Sequence, residues 1–229
     1  MRQRIAEAIR HPVGFVTRWT RHLFGLAKPI IRHPVGFVRF SSRVVIIPDP
    51  LAKQQILLSY AEQYGLRVLV ETGTYLGDMV EAMKDRFDRI YSIELDDDLF
   101  ENAATRFASS DHVRIIHGDS GVLLNGVLSE INEPALFWLD GHYSGGPTAR
   151  GASDTPVLKE LSHIFGTART GDVVIIDDAR EFEYSRHSRD YPTLRKLRKF
   201  VRDIAGDVDI AVVDDAIRIT PASQQTLKH

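Results

Sequence analysis

From residue 51 onward the chain alternates between short apolar runs and longer stretches whose apolar residues recur at helical spacing. The apolar runs predict strands over 68–72, 89–94, 113–117, 135–140 and 172–176. Val68-Leu69-Val70 is apolar at consecutive rather than alternate positions, which suits a strand covered on both faces of a parallel sheet. The stretches between predict helices over 78–86, 98–107, 120–131, 156–165 and 192–204. A further helix over 51–65 precedes the first strand, with Leu51, Ile56, Leu57, Tyr60 and Ala61 marking its apolar positions and Gly65 ending it. Two adjacent strands, 208–213 and 216–220, close the chain as a hairpin through Asp214-Asp215. Successive strand–helix units predict an α/β fold: a Rossmann-like, doubly wound, mostly parallel sheet ending in an antiparallel hairpin.

The first 46 residues break this pattern. Arg10-His11-Pro12-Val13-Gly14-Phe15-Val16 recurs as Arg32-His33-Pro34-Val35-Gly36-Phe37-Val38, and each proline is placed to start a short helix. In the first copy Val13, Val16, Trp19, Leu23 and Phe24 share a face. Ile46-Ile47-Pro48-Asp49-Pro50 marks the boundary, because its prolines break any preceding helix. The expected organisation is a basic, amphipathic helical arm over 1–46, a domain over 47–222 and a flexible tail over 223–229.

Charge sharpens that division. The 229 residues carry a net charge of -2, yet the arm holds nine Lys/Arg against one acid, Glu7, and the rest of the chain is acidic. A basic arm on an acidic body points to an anionic surface for the arm alone. Two readings stand: peripheral contact with an anionic membrane, or packing on the body or on a second subunit of a homodimer. The acidic body lacks the basic, aromatic-laced stripe of a nucleic-acid binder, so no nucleic-acid partner is expected. With no cysteine, a thiolate zinc site, a cysteine nucleophile and a disulfide framework are excluded. A cytoplasmic location is expected, with membrane association through the arm as the variant.

The candidate chemistry lies at the carboxyl ends of the strands, where ligands sit in such sheets. Those ends carry Glu71, Glu94, Asp119, Asp140 and the pair Asp177-Asp178. After the first strand, Gly73 and Gly77 allow the backbone to pass close to a ligand before the next helix begins. A carboxylate at Glu94 is placed to accept both hydrogen bonds of a ribose diol. Asp140 and Asp177-Asp178, on strands expected to be neighbours, could converge on one hard cation such as Mg2+.

Four segments together resemble the class I S-adenosylmethionine-dependent methyltransferases: Glu71-Thr72-Gly73-Thr74-Tyr75-Leu76-Gly77, Ile93-Glu94, His117-Gly118-Asp119-Ser120 and Phe137-Trp138-Leu139-Asp140. The resemblance covers about residues 51–221. It implies S-adenosyl-L-methionine as cofactor, held around Glu71, Gly73 and Gly77, with its ribose on Glu94 and its adenine near Asp119 and Ser120. Tyr75 stands where many members have a third glycine. The acid set resembles the metal-dependent O-methyltransferases of the macrocin-type sugar group and the catechol group. By that resemblance Asp140, Asp177 and Asp178 are metal ligands. His142 takes the place of the base acting on a small hydroxylated acceptor such as a sugar, with Asp140 beside it. The glycine-rich segment 144–154, with Arg150, reads either as a lid or as a surface loop, and Arg180, Tyr184, His187 and Tyr191 as an acceptor wall or as packing. Two other classes remain open: a nicotinamide-dependent oxidoreductase, although Gly73 and Gly77 do not give G-x-G-x-x-G, and a non-catalytic protein of the same fold that docks through its arm.

Overall fold

In a computed structural model of the chain, residues 36–40, 43–47, 49–141, 155–184 and 191–222 are described. The first copy of the repeat, His142, the segment 144–154, His187 and the tail 223–229 lie outside these residues. The second copy does not run on as a helix. Gly36–Phe40 (β1) and Arg43–Ile47 (β2) pair antiparallel, Gly36 opposite Ile47 and Phe40 opposite Arg43. The apolar residues Phe37, Val38, Phe40 and Val44 to Ile47 are strong β-formers, and Gly36 weakens a helix at the point where Pro34 was expected to start one.

Helix α1 (Pro50–Tyr64) starts where Asp49 accepts a hydrogen bond from the Ala52 N–H at 2.7 Å and Pro50 supplies a pre-set first helical residue. It stops at Gly65, which turns left-handed at φ 65° and donates back into the last turn. The alternation then runs β3 (Val68–Thr72), α2 (Asp78–Met83), β4 (Arg89–Glu94), α3 (Asp97–Arg106), β5 (Val113–His117), α4 (Ser120–Ser129) and β6 (Ala135–Leu139). It continues with α5 (Val157–Phe165), β7 (Val173–Ile176), a single-turn helix α6 (Glu181–Tyr184), α7 (Leu194–Ala205), β8 (Val208–Val213) and β9 (Ala216–Pro221).

β3 to β9 form a seven-stranded sheet in the order β5-β4-β3-β6-β7-β9-β8. The pairs among β3, β4, β5, β6 and β7 are parallel, while β9 is antiparallel to both β7 and β8, so it alone opposes the others. Successive side chains of a strand point to opposite faces, and two cores result. Val68, Val70, Phe137 and Leu139 pack with Leu124 of α4, Leu161 of α5 and Leu197 of α7. Leu69, Leu136 and Trp138 pack with Leu57 of α1 and with Val80 and Met83 of α2 on the other face. The central strands, buried along their whole length, are therefore apolar without alternation. Strand order reverses between β3 and β6, which opens a crevice beyond their carboxyl ends.

Candidate functional site

The crevice is framed by backbone bonds that carry the strand pairing one residue past each strand. Gly73 N–H donates to Ile93 O at 2.9 Å, Gly118 N–H to Glu94 O at 2.8 Å, Asp140 N–H to Thr72 O at 3.0 Å and Asp177 N–H to Leu139 O at 3.1 Å. Residues of four strand ends are thereby brought level around one opening. Gly73 is required there: it holds φ 85°, and a Cβ on it would come within 2.6 Å of the Asp140 carbonyl oxygen. The glycine is thus required by the close approach of this turn to the backbone of Asp140 and Gly141. Gly77, at φ 78°, is the residue before α2, and a Cβ on it would strike the Phe107 ring at 2.7 Å.

Tyr75 occupies the turn at φ 50°, a left-handed conformation that costs a side-chain-bearing residue about 1 kcal/mol. It is held by its N–H, which donates to Glu94 Oε2 at 2.7 Å, while Glu94 Oε1 accepts from Asp96 N–H at 2.9 Å. Glu94 thus ties the turn after β3 to the start of α3. Each carboxylate oxygen accepts more than one bond, so both retain capacity for a diol. Asp96 caps α3 through Leu99 N–H, and Asp119 caps α4 through Gly121 N–H at 2.8 Å. The capping role of Asp119 places its carboxylate at the carboxyl end of β5, one residue before Ser120.

Beneath the turn lies a buried polar chain. Thr74 Oγ1 and Ser92 Oγ are 2.6 Å apart, and the Ser92 hydroxyl donates to Glu71. Glu71 is 1% exposed. Burial pushes its carboxyl up to about 8, against the opposing pull of the Ser92 hydroxyl, with the nearby charges of Asp140 and Glu94 adding to the rise. Next to it, the buried Thr72 Oγ1 has no hydrogen-bond partner among the described residues. Thr72 is fully buried, and its hydroxyl lies against the backbone at Gly141. Together with Glu94, these features fit a nucleoside cofactor that carries an aminoacyl end.

On the far side of the opening, Leu139, Gly141, Glu160, Asp177, Phe182 and Tyr191 line a small cavity. Glu160 is a site residue that the sequence reading passed over. It is 1% exposed and accepts from Ser120 Oγ at 2.6 Å. Its signal was an acid on the face that Val157, Leu161 and Ile164 bury.

Asp140, Asp177 and Asp178 do stand at neighbouring strand ends, as expected, but cations of the chain itself engage Asp177 and Asp178. Lys53 of α1 is ion-paired with Asp177 and lies 3.9 Å from Asp178. Arg180 pairs with Asp178 at 2.7 Å and with Asp215 of the β8–β9 turn. Burial alone would lower the Lys53 ammonium, yet Asp177 outweighs it and the amine is held above its ordinary value. The Asp177 carboxyl is pushed up by burial and by Asp178, against the opposing pull of Lys53. Among the described residues no three His, Asp or Glu side chains are arranged to hold a metal ion. The acid set as it stands therefore does not fit a divalent cation. Lys53 was also missed from sequence; its position four residues before the buried Leu57 places it on the inner face of α1.

This architecture, with its cradle between β3 and β6 and its closing hairpin, is the class I methyltransferase fold. Solved structures agree. An O-methyltransferase from Streptomyces achromogenes, TomG, involved in tomaymycin synthesis and determined with SAM, superimposes with a TM-score of 0.55 at 18% identity, over 77% of this chain and 82% of that one. An O-methyltransferase from Bacillus cereus in complex with SAH gives 0.53 at 17% identity, over 76% and 82%. The SAH-bound methyltransferase PaMTH1 of Podospora anserina gives 0.52 at 14% identity, over 77% and 80%. At such identities the likeness defines the fold. No protein-family model matches the chain, and no curated protein matches it by sequence.

Proposed function

We propose that this chain is an S-adenosylmethionine-dependent methyltransferase that methylates an oxygen of a small hydroxylated acceptor, such as a sugar. The observation that carries the reading is Glu94 at the reversal point of the sheet, held by the Tyr75 and Asp96 N–H groups with capacity left on both oxygens for a ribose diol. The solved structures of this fold with SAM or SAH bound support the choice of cofactor. When bound, that cofactor supplies a sulfonium methyl group for transfer.

The residues of the chain divide the remaining work. Glu94 fixes the ribose end, and the Gly73 turn lets the backbone approach the other end closely. Asp119 and Ser120 flank the opening on the side expected for the base. Asp177 lines the small cavity beside the opening, where one acceptor hydroxyl held by its carboxylate would stay in line with the methyl group. His142, one residue beyond the described Gly141, is the candidate base that removes the hydroxyl proton. Asp140 beside it would orient the imidazole. The test is transfer of labelled methyl from S-adenosylmethionine to a panel of sugars, catechols and other diols. A product methylated on oxygen, lost on His142→Ala with cofactor binding kept, is the expected result. Methyl transfer to nitrogen acceptors alone would contradict it.

A further inference from the structure

The acid cluster at the ends of β6 and β7 is occupied by a cation that the fold itself supplies. Lys53 leaves α1, passes within 6.0 Å of the centre of the Trp138 ring and ends between Asp177 and Asp178. On the outer side of Asp178 stands the Arg180 guanidinium, itself anchored on Asp215. Both cations are largely buried, with side chains 21% and 16% exposed. Leu57, one turn further along α1, packs in the same core as Trp138 of β6 and fixes the helix from which Lys53 reaches.

A magnesium-sized ion bridging Asp177 to Asp140 or Asp178 must sit about 2 Å from their oxygens. Between Asp177 and Asp178 that volume is where the ammonium stands, and any ion on Asp177 would contact it. Bringing a dication within a few ångströms of a partly buried ammonium adds a repulsion of several kcal/mol at an effective dielectric of about 20. Lys53 would have to leave Asp177 first, and the buried Asp177 would lose its counter-ion.

We propose that Lys53 is the resident cation of this cluster, taking the place that a divalent metal would otherwise hold, so that the chain binds no divalent metal there. The inference rests on reading the cluster as the acceptor side of a methyltransferase. Lys53 is a positioning residue: it holds the Asp177 carboxylate against the cavity wall, where that carboxylate can accept from an acceptor hydroxyl. An ammonium is a single charge with three donors, and it lacks the open coordination positions of a metal. Acidification of the acceptor hydroxyl then falls to a base of the protein.

The test is a Mn2+ titration of the full chain, followed by calorimetry and by the loss of the free-ion paramagnetic resonance signal, with and without S-adenosylhomocysteine. The wild-type protein is expected to show no saturable uptake. Lys53→Met is expected to gain a single Mn2+ site, at least tenfold tighter than any residual binding, that disappears in Lys53→Met/Asp177→Asn. One equivalent of Mn2+ taken up by the wild type and lost in Asp177→Asn would overturn the proposal, as would a folded Lys53→Met that gains no site. Should Lys53→Met fail to fold, the wild-type titration with Asp177→Asn as control decides alone. Binding of S-adenosylhomocysteine in EDTA, measured on the same samples, reports separately on the methyltransferase reading. Its absence beside the expected Mn2+ results would strike that reading alone.

Discussion

At the scale of single residues, Glu71 and Glu94 show how two acids at adjacent strand ends come to differ. Glu94 takes two backbone N–H groups, whereas Glu71 lies beneath the turn with the Ser92 hydroxyl as its donor. Burial dominates for Glu71, and its carboxyl is pushed from 4.5 up to about 8. An acid with a raised folded-state pKa binds its proton in the native protein where the unfolded chain has already released it. Its contribution to stability is therefore full below about pH 4.5 and is lost as pH rises toward about 8. Glu71→Gln removes that titration. The variant is expected to flatten the fall in melting temperature across this window and to gain on the wild type at its alkaline end, as read by thermal unfolding at a series of pH values. A wild-type and variant pair with parallel profiles would contradict the assignment. Tyr75 makes a second point. The left-handed turn survives without the third glycine because Glu94 holds the Tyr75 N–H.

At the scale of elements, α1 carries the cation that meets the acid cluster. Asp49 caps it, and Lys53 stands on its first turns. Asp49→Ala is expected to lower stability by about 1 kcal/mol in urea unfolding, the usual loss of a helix cap. An unchanged unfolding midpoint would show that the cap is immaterial. The strands of the sheet were legible because each apolar run ends at a glycine, a proline or an acid within a residue or two. β3, β4, β5 and β8 have the bounds expected, while helix ends shifted by a few residues, as frayed last turns do. The single turn α6 is too short to leave a periodic signal. The β1 and β2 strands were read as helix because Pro34 resembled a helix start, and the β-forming residues after it prevailed. Of the site, Gly73 and the strand-end acids were readable from position alone. Lys53 and Glu160 were not, and Arg180 was read as acceptor wall or packing rather than as a partner of Asp178 and Asp215, since these partners lie far along the chain and only the fold brings them together.

At the scale of the whole molecule, two helical layers enclose a sheet whose order reverses between β3 and β6, and the cradle lies where that reversal opens the edge. The acids that converge there answer to two demands. Those on the β3–β4–β5 side, Glu71, Glu94 and Asp119, are held by hydrogen bonds from the Ser92 hydroxyl and from backbone N–H groups, while Asp177 and Asp178 on the β7 side are paired from within by Lys53 and Arg180. No helix among the described residues is long and apolar enough to cross a membrane. The basic arm over 1–46 remains the chain's concentrated positive charge, set against an acidic body. The proposed function requires the reversal point of the sheet to bind S-adenosylmethionine. The most direct measurement is a calorimetric titration of the intact protein with S-adenosylhomocysteine in EDTA, alongside Glu94→Ala. One saturable site, weakened at least tenfold in Glu94→Ala as expected when a charged acceptor of two hydrogen bonds is lost, is the predicted result. No binding by the wild type, or equal binding by both proteins, would contradict it.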